Sequence, residues 1–189
     1  MSNVGWIGFS RTPHSDATFT GEITFNGQTF RSAGPGQPLG YGLQGHNCGY
    51  RHRNRWTWTH CFARDEAGMA TTIEALEYEI GLGLSFHRAL LWHKGRLYIL
   101  KKFTQHQRDR LGLRWHFAAA DPRQDLSVTV EVDGSGPSLH RLPYLKTDCS
   151  GAFEVSNNSL AQATFTIHQH NQIQQFTANA GAVLEMAGE

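Results

Sequence analysis

The sequence predicts an all-β protein, an antiparallel β-barrel with little helix. Short runs rich in Ile, Thr, Val, Phe and Trp recur along the 189 residues, and they are separated by glycine-containing turns; the chain holds 20 Gly and only 6 Pro. Runs and turns of this kind are typical of strands joined by tight connections. The length suits one domain with a sizeable core, so we expect residues 1–189 to form a single barrel.

Alternation and turn signals predict the individual strands. Residues 5–10 open the chain, and Asn26-Gly27 between two apolar runs predicts a hairpin over residues 21–32. Residues 69–80 also fit helical spacing, but their Ile, Thr and Tyr content favours a strand. The remaining strands are predicted at 55–64, 87–94, 96–103, 112–119, 126–132, 152–156, 161–169 and 172–177.

Residues 33–54 are rich in Gly, Pro and Arg and predict a long loop at the mouth of the barrel. Two interpretations of its arginines remain open. Arg51, Arg53 and Arg55 either form a solvated rim or contact an anionic group on a ligand.

Composition excludes several classes of protein. The formal net charge is +1, which gives no electrostatic basis for nucleic-acid binding. No apolar run reaches the length of a membrane span, and the first residues lack the pattern of a signal peptide. Three cysteines, an odd number, do not suggest a disulfide framework, so we expect a cytoplasmic protein.

The strongest functional signal is the predicted strand at 55–64. One face carries Trp56, Trp58, His60 and Phe62, and the other carries Thr57, Thr59 and Cys61. Large rings in this pattern either fill a core or line a pocket for an apolar ligand. A histidine among the rings favours the pocket, since a buried imidazole needs a partner. We therefore predict that the tryptophan side is the inner wall of the barrel.

The predicted proton donor is His46, His60 or Glu74, and Glu74 is the choice among the glutamates. It shares a strand face with Leu76 and Tyr78, whereas Glu77 and Glu79 lie on the other face. A carboxyl group among aromatic rings is desolvated and can donate a proton near neutral pH.

Two histidine groupings permit a metal as a weaker alternative. They are His46-x-Cys48-x3-His52 and His168-x-His170, the second on one predicted strand face. Neither completes a recognised ligand set, so no metal and no cofactor is expected.

Four motifs resemble the lipocalin-like superfamily of tocopherol cyclases, carotenoid 1,2-hydratases (hydroxyneurosporene synthases) and AttH-type proteins. Residues 5–9 with Pro13 are similar to the family's Gly-Trp entry, and residues 21–30 are similar to its Asn-Gly hairpin. Residues 45–49, Gly-His-Asn-Cys-Gly, stand where the family has Asp-His-Asn-Trp-Gly. Residues 55–61, the fourth motif, align with its Trp-x-Trp-x-(Gln/His)-Cys strand. Residues 156–161 are a fainter echo of the family's Asn-Ser-x-(Ile/Leu)-Ala. The resemblance implies a lipocalin-like (calycin-like) barrel.

Two departures from the family bear on chemistry and assembly. Gly45 replaces the family's acidic residue and Cys48 replaces its Trp, so simple hydration is disfavoured. Family members usually carry two barrel halves, and this chain has the length of one. It is therefore either a stand-alone barrel or a homodimer.

The resemblance and the residues together predict an enzyme of the cyclase or isomerase type. Its partner would be a hydrophobic polyene or prenyl small molecule of secondary metabolism, cyclised by a proton-initiated or a pericyclic (Diels–Alder-like) route. A non-catalytic carrier is the main alternative. The predicted catalytic residues are His46, Asn47, His60 and Glu74. The predicted substrate-binding residues are Tyr41, Tyr50, His52, Trp56, Trp58, Tyr78, Trp115 and Phe117.

Overall fold

The computed structural model describes residues 8–49, 55–82, 84–111, 113–146 and 149–188. The described chain is antiparallel β-structure throughout, with one 3-10 turn at Pro122–Gln124 as its helical element. The predicted all-β class with little helix is confirmed. The chain divides into two compact units, residues 1–50 and 51–189. The single domain over 1–189 stays a prediction.

The first unit contains two antiparallel pairs. Strand β1 (Gly8–Phe19) pairs with β4 (Gly40–Gly49), and β2 (Glu22–Phe25) forms a hairpin with β3 (Gln28–Arg31). The predicted Asn-Gly turn is confirmed, because Asn26 and Gly27 both have positive φ, 48° and 78°, as a type I′ turn requires.

Part of the predicted mouth loop is instead a strand. Residues 40–49 lie in β4, where the ladder with β1 satisfies backbone groups that a loop would expose to water. The frequent glycines predicted a loop, but Gly40, Gly42 and Gly49 pair with residues of β1 in the antiparallel ladder. Residues 50–54 lie outside the described residues.

The second unit is one ten-stranded antiparallel sheet. Its strands are β5 (Trp56–Arg64), β6 (Ala70–Gly81), β7 (Leu84–His93), β8 (Arg96–Leu100), β9 (Lys102–Asp109), β10 (Arg114–Asp121), β11 (Leu126–Asp133), β12 (Leu139–Leu145), β13 (Ala152–Gln169) and β14 (Gln172–Ala187). The order is β8-β7-β6-β5-β14-β13-β11-β10-β9, and β12 pairs with β13 beside this path.

The two ends of this strand order belong to one chain segment. Only Lys101 separates β8 from β9, and its N–H donates to the Ala120 carbonyl at 3.2 Å. The sheet therefore curls so that its first and last strands succeed each other along the chain. Among the described residues no ladder joins β8 to β10, so hydrogen bonding does not close the barrel continuously.

Several strands differ from the sequence prediction. β1 continues to Phe19 beyond the predicted 5–10, and the predicted strand 96–103 is divided at Lys101 into β8 and β9. β13 runs unbroken through 157–160, where Asn and Ser suggested a break, because register shifts between Asn158 and Ala163 absorb the irregularity. The Asn158 side chain holds this bulge by donating to the Gly134 carbonyl and accepting from the Leu160 N–H, both at 2.8 Å. β14 extends to 187 as its partner, and β12 was missed because Pro143 disfavours a strand except at an edge.

The main core lies on one face of this sheet. Strand β5 contributes Cys61 and Ala63 to it, β6 contributes Ile73 and Ala75, and β10 contributes Trp115 among others. Trp56 belongs to a separate cluster, against which Trp58, Leu76 and Tyr78 pack. The prediction that the tryptophan side of β5 is the inner wall is therefore wrong. Small Cys, Ala and Thr side chains face inward because Trp, Phe and Val from the opposing strands already fill the core.

Among the described residues, no helix has the length and apolar character needed to cross a membrane.

Candidate functional site

The outward face of β5 and β6 gathers several predicted site residues. We call this surface the tryptophan face: Trp56, Trp58, His60 and Phe62 of β5 with Glu74, Leu76 and Tyr78 of β6. The register places His60 directly opposite Glu74 and Trp58 opposite Leu76. Directly paired residues of an antiparallel ladder have neighbouring side chains, so strand pairing alone assembles this surface.

One end of the tryptophan face is rigid. The Trp56 indole N–H donates to Glu185 Oε1 at 2.7 Å, and its ring meets Phe153 edge-on at 5.6 Å. Asn157 Nδ2 donates to the other Glu185 oxygen at 3.3 Å. Burial, the Glu185 charge and a hydrogen bond to that carboxylate together raise the pKa of Tyr144. Trp56 is thus fixed as an anchor with its polar atom already satisfied.

Glu74 lies at the middle of this face and is not fully satisfied. It is 5% exposed, and its Oε1 accepts a hydrogen bond from the Trp58 indole N–H at 3.3 Å. Its Oε2 is buried and has no hydrogen-bond partner among the described residues. Buried polar atoms are nearly always paired, so an unpaired carboxylate oxygen beside a half-buried tryptophan marks a position that could receive a ligand.

The structure brings five predicted site residues together on this face. Trp56, Trp58, His60, Glu74 and Tyr78 share the surface. Trp115 and Phe117 lie in the main core on the opposite side of the sheet. Tyr41, His46 and Asn47 lie on β4 in the first unit, where His46 pairs with Arg11 and Asn47 with Ser10. Tyr50 and His52 fall outside the described residues. The functional roles of all these residues stay predictions.

Of the two histidine groupings suggested as metal ligands, the structure contradicts the His168/His170 pair and leaves the other untested. His168 is an exposed residue of β13, next to its last residue Gln169, whereas His170 lies in the following turn with φ of 48°. They therefore do not share a strand face. For His46-x-Cys48-x3-His52, His52 is outside the described residues.

A second polar group lies on the inward face and was missed by the sequence reasoning. We call it the Glu77 cluster: Glu77, His87, His106, Arg108 and Thr57. Glu77 Oε2 lies 2.5 Å from His106 Nε2 and 3.1 Å from an Arg108 nitrogen, and its Oε1 lies 3.5 Å from His87 Nε2. Arg108 also donates to Thr57 Oγ1 at 3.5 Å. The carboxylate is 3% exposed, so nearly all of its solvation comes from these partners.

The electrostatics of the Glu77 cluster favour an ionised Glu77 carboxylate beside a neutral His87 imidazole. Burial acts to raise the pKa of Glu77, but the His106 hydrogen bond and the charges of His106, Arg108 and His87 outweigh it, and the pKa lies below its usual range. Burial lowers the pKa of His87 against the opposing Glu77 charge, and the charges of His106 and Arg108 also lower it.

Aromatic rings hold the two imidazoles of this cluster. His87 packs on Phe103 at 5.1 Å, and His106 meets Trp115 at 5.9 Å. Trp115 in turn packs on Phe117 at 4.5 Å. Two predicted substrate-binding residues thus support a site other than the one that was predicted.

One sequence signal could have located Glu77. It shares its strand face with Ile73 and Ala75, which are apolar, and that face is the side of β6 that enters the core. The larger side chains beside Glu74 favour the other face of the strand as the site when only the sequence is considered. No local signal marked His106, because its contact with Glu77 depends on how the sheet curls.

Comparisons with known proteins are few. No protein-family model and no curated protein sequence matches the chain. An AttH-type protein from Nitrosomonas europaea is similar in structure with a TM-score of 0.48 and 11% identity, over 72% of this chain and 52% of that protein. Kievitone hydratase from Nectria haematococca is similar with a TM-score of 0.49 and 12% identity, over 98% of this chain and 57% of the hydratase.

The chain spans about half the length of these two proteins. One of them carries the name AttH, which is one of the protein types that the sequence motifs resemble. Neither of them is named a tocopherol cyclase. At these identities and TM-scores the two structures say nothing about the activity of this chain.

Proposed function

We propose that this chain is a cyclase or isomerase of secondary metabolism that binds a hydrophobic polyene or prenyl small molecule on the tryptophan face. The observation that carries the proposal is the Glu74 carboxyl group, which is buried, held by Trp58 on one oxygen and unpartnered on the other. A ligand covering Trp58 and Leu76 would bury further apolar area and bring its own atoms to Glu74 Oε2.

The chemistry that fits this arrangement begins with proton transfer. The Glu74 O–H bond breaks, the proton adds to a terminal alkene carbon of the ligand, and the remaining carboxylate stays beside the new carbocation. The indole face of Trp58 stabilises that cation, and an internal double bond closes the ring. Loss of a proton back to Glu74, directly or relayed through His60, restores the acid and completes an isomerisation with no change in composition.

A pericyclic variant uses the same surface without the acid. The tryptophan face would then only fold the substrate into a reactive conformation, which can lower the barrier by several kcal/mol, on the order of 7–11 at best. The two routes differ in their dependence on Glu74, so one substitution separates them.

The test combines native mass spectrometry with two substitutions. We expect freshly purified protein to carry an apolar molecule, and we expect retinol, as a polyene probe, to quench tryptophan fluorescence. Trp58→Ala should weaken retinol binding at least about tenfold while far-ultraviolet circular dichroism stays unchanged. Glu154→Gln, at an exposed glutamate paired with Arg141, is the matched control for Glu74→Gln.

Each outcome separates the hypotheses. When the co-purified molecule is returned to the enzyme, loss of product formation in Glu74→Gln with retained binding supports the proton-initiated route. Retained product formation in that variant supports the pericyclic route. Tight binding with no product from the wild-type protein supports the carrier instead. Unchanged binding and turnover in a folded Trp58→Ala protein would refute the assignment of the tryptophan face.

A further inference from the structure

The Glu77 cluster combines the atoms that transition metals prefer with a compact arrangement. Glu77 lies on β6, His87 is its direct partner on β7, and His106 comes from β9. One ligand atom from each of the three residues lies within 4.8 Å of the other two. Two imidazole nitrogens and one carboxylate oxygen are the protein ligands of a common class of open zinc site.

The distances require little movement to close on an ion. Zinc binds nitrogen and oxygen at about 2.0–2.2 Å, so tetrahedral ligands lie about 3.3 Å from one another. The distance from His106 Nε2 to Glu77 Oε2 is 2.5 Å and that from His87 Nε2 to Glu77 Oε1 is 3.5 Å, so the two lie on either side of that value. Both histidines present Nε2, and the carboxylate directs a separate oxygen to each of them.

Burial and access also suit a bound ion. Glu77 is 3% exposed, whereas the side chains of His87 and His106 are 30% and 23% exposed, so the cluster is reached from solvent past the imidazoles. Phe103 and Trp115 pack against the two rings and limit their rotation. Fixed ring orientation is the usual contribution of the residues around a metal site.

Arg108 would compete with the ion for the Glu77 carboxylate. One guanidinium nitrogen lies 3.1 Å from Glu77 Oε2, and the side chain is 29% exposed, which leaves it room to move toward solvent. Without an ion, this cation neutralises the buried carboxylate. With an ion in place, the like charges would repel, so Arg108 has to leave.

We propose that Glu77, His87 and His106 bind one divalent transition-metal ion of the zinc type, with a fourth position open to water. This site is separate from the tryptophan face, which lies on the opposite side of the sheet. The proposal stands independently of the function proposed above.

The experiment is titration of the EDTA-treated full chain with Co²⁺, whose visible absorption reports tetrahedral ligation by nitrogen and oxygen. We expect one Co²⁺ per chain and its displacement by Zn²⁺. His106→Ala and His87→Gln should each weaken binding by more than about 100-fold, because each removes a direct ligand. Glu77→Gln should act similarly.

Arg108→Gln gives the sharpest prediction. If Arg108 competes with the ion, its removal should tighten Co²⁺ binding about tenfold. A cluster that only forms a resting salt bridge would gain no ion affinity from this change. His116→Ala is the matched control, since His116 lies on β10 between the inward-facing Trp115 and Phe117 and points to the other side.

Several results would overturn the proposal. They are the absence of stoichiometric Co²⁺ binding to folded wild-type chain, wild-type affinity in both His106→Ala and His87→Gln, and loss of binding in His168→Ala. Circular dichroism shows whether each variant is folded. If either His106→Ala or His87→Gln misfolds, the other still tests metal binding.

Discussion

The tryptophan face and the Glu77 cluster are each centred on a buried glutamate of the same strand, and they differ in how that glutamate is satisfied. Glu74 is 5% exposed and Glu77 is 3% exposed, so burial does not distinguish them. Glu77 has contacts from two imidazoles and a guanidinium, whereas Glu74 has one indole donor and one unpartnered oxygen among the described residues. The two glutamates therefore differ in their number of partners and not in their depth of burial. Glu77 is satisfied by the protein itself, whereas Glu74 has an oxygen that a ligand could hydrogen-bond.

The largest expected difference between the two faces comes from removing a tryptophan on each. Trp115 is 1% exposed and belongs to the main core, so Trp115→Ala should cost about 3–5 kcal/mol of unfolding free energy. Trp58 is only half-buried, and Trp58→Ala should cost about 1–2 kcal/mol. Chemical denaturation of the two variants measures both values.

Trp115→Phe serves as the control for this pair. The indole nitrogen of Trp115 is buried without a hydrogen-bond partner among the described residues, so Phe removes an unsatisfied group along with some volume. We expect it to restore most of the stability that Trp115→Ala loses. Equal losses for Trp115→Ala and Trp58→Ala would contradict the assignment of inner and outer faces.

The two glutamates should respond in different degrees to the same isosteric change. Glu77→Gln removes charge-assisted contacts with His106 and Arg108 and should cost about 1.5–3 kcal/mol. Glu74→Gln keeps an acceptor for Trp58 and breaks no ion pair among the described residues, so stability should change by less than about 1 kcal/mol. Thermal unfolding of both variants at neutral pH provides the measurement, and a larger loss for Glu74→Gln would reverse the contrast.

Features of the fold that depend on local interactions could be predicted from the sequence, whereas features that depend on packing between distant strands could not. The Asn26-Gly27 turn and the strand at 70–81 are set by local propensity and alternation, and both are confirmed. Alternation also showed which residues share a face of β5. It could not tell which face is inward, because that depends on the volume supplied by distant strands such as β10 and β13.

The same limit applies to the candidate sites. Trp58 and Glu74 could be linked from sequence, since both lie on faces defined by neighbouring strands. His106 could not be linked to Glu77, because β9 reaches β6 only through the curl of the whole sheet. Sequence patterns specify ladders between neighbours and leave contacts across the barrel undetermined.

A pH-dependent loss of stability should come from His93, which lies on the inward face at the other end of β7 from the Glu77 cluster. His93 is 2% exposed, its Nδ1 lies 2.9 Å from Thr71 Oγ1, and its ring meets Phe176 edge-on at 5.8 Å. Burial, aided by the Lys94 charge, lowers the pKa of His93 below its ordinary 6.5, while Gln174 and Asp65 act weakly in the other direction.

The sign follows from proton binding in the two states. The unfolded chain takes up a proton at pH 6.5, whereas the folded chain resists it, so stability is constant above pH 6.5 and falls as the pH drops below that value. Unfolding midpoints at a series of pH values should show this fall, and His93→Gln should reduce it. An identical pH profile in a folded His93→Gln protein would show that another group is responsible.

The smallest perturbation tests the orientation of β5 without a mutation. Cys61 points into the main core at 0% exposure, and burial raises the pKa of its thiol to about 12, whereas Cys149 is exposed. The thiolate is the reactive form, so iodoacetamide near neutral pH should label Cys149 and leave Cys61 unmodified until denaturant is added. Peptide mapping by mass spectrometry distinguishes the positions. Rapid labelling of Cys61 in the native protein would place this side of β5 in solvent and return the tryptophan side to the interior, because adjacent residues of a strand cannot both point inward.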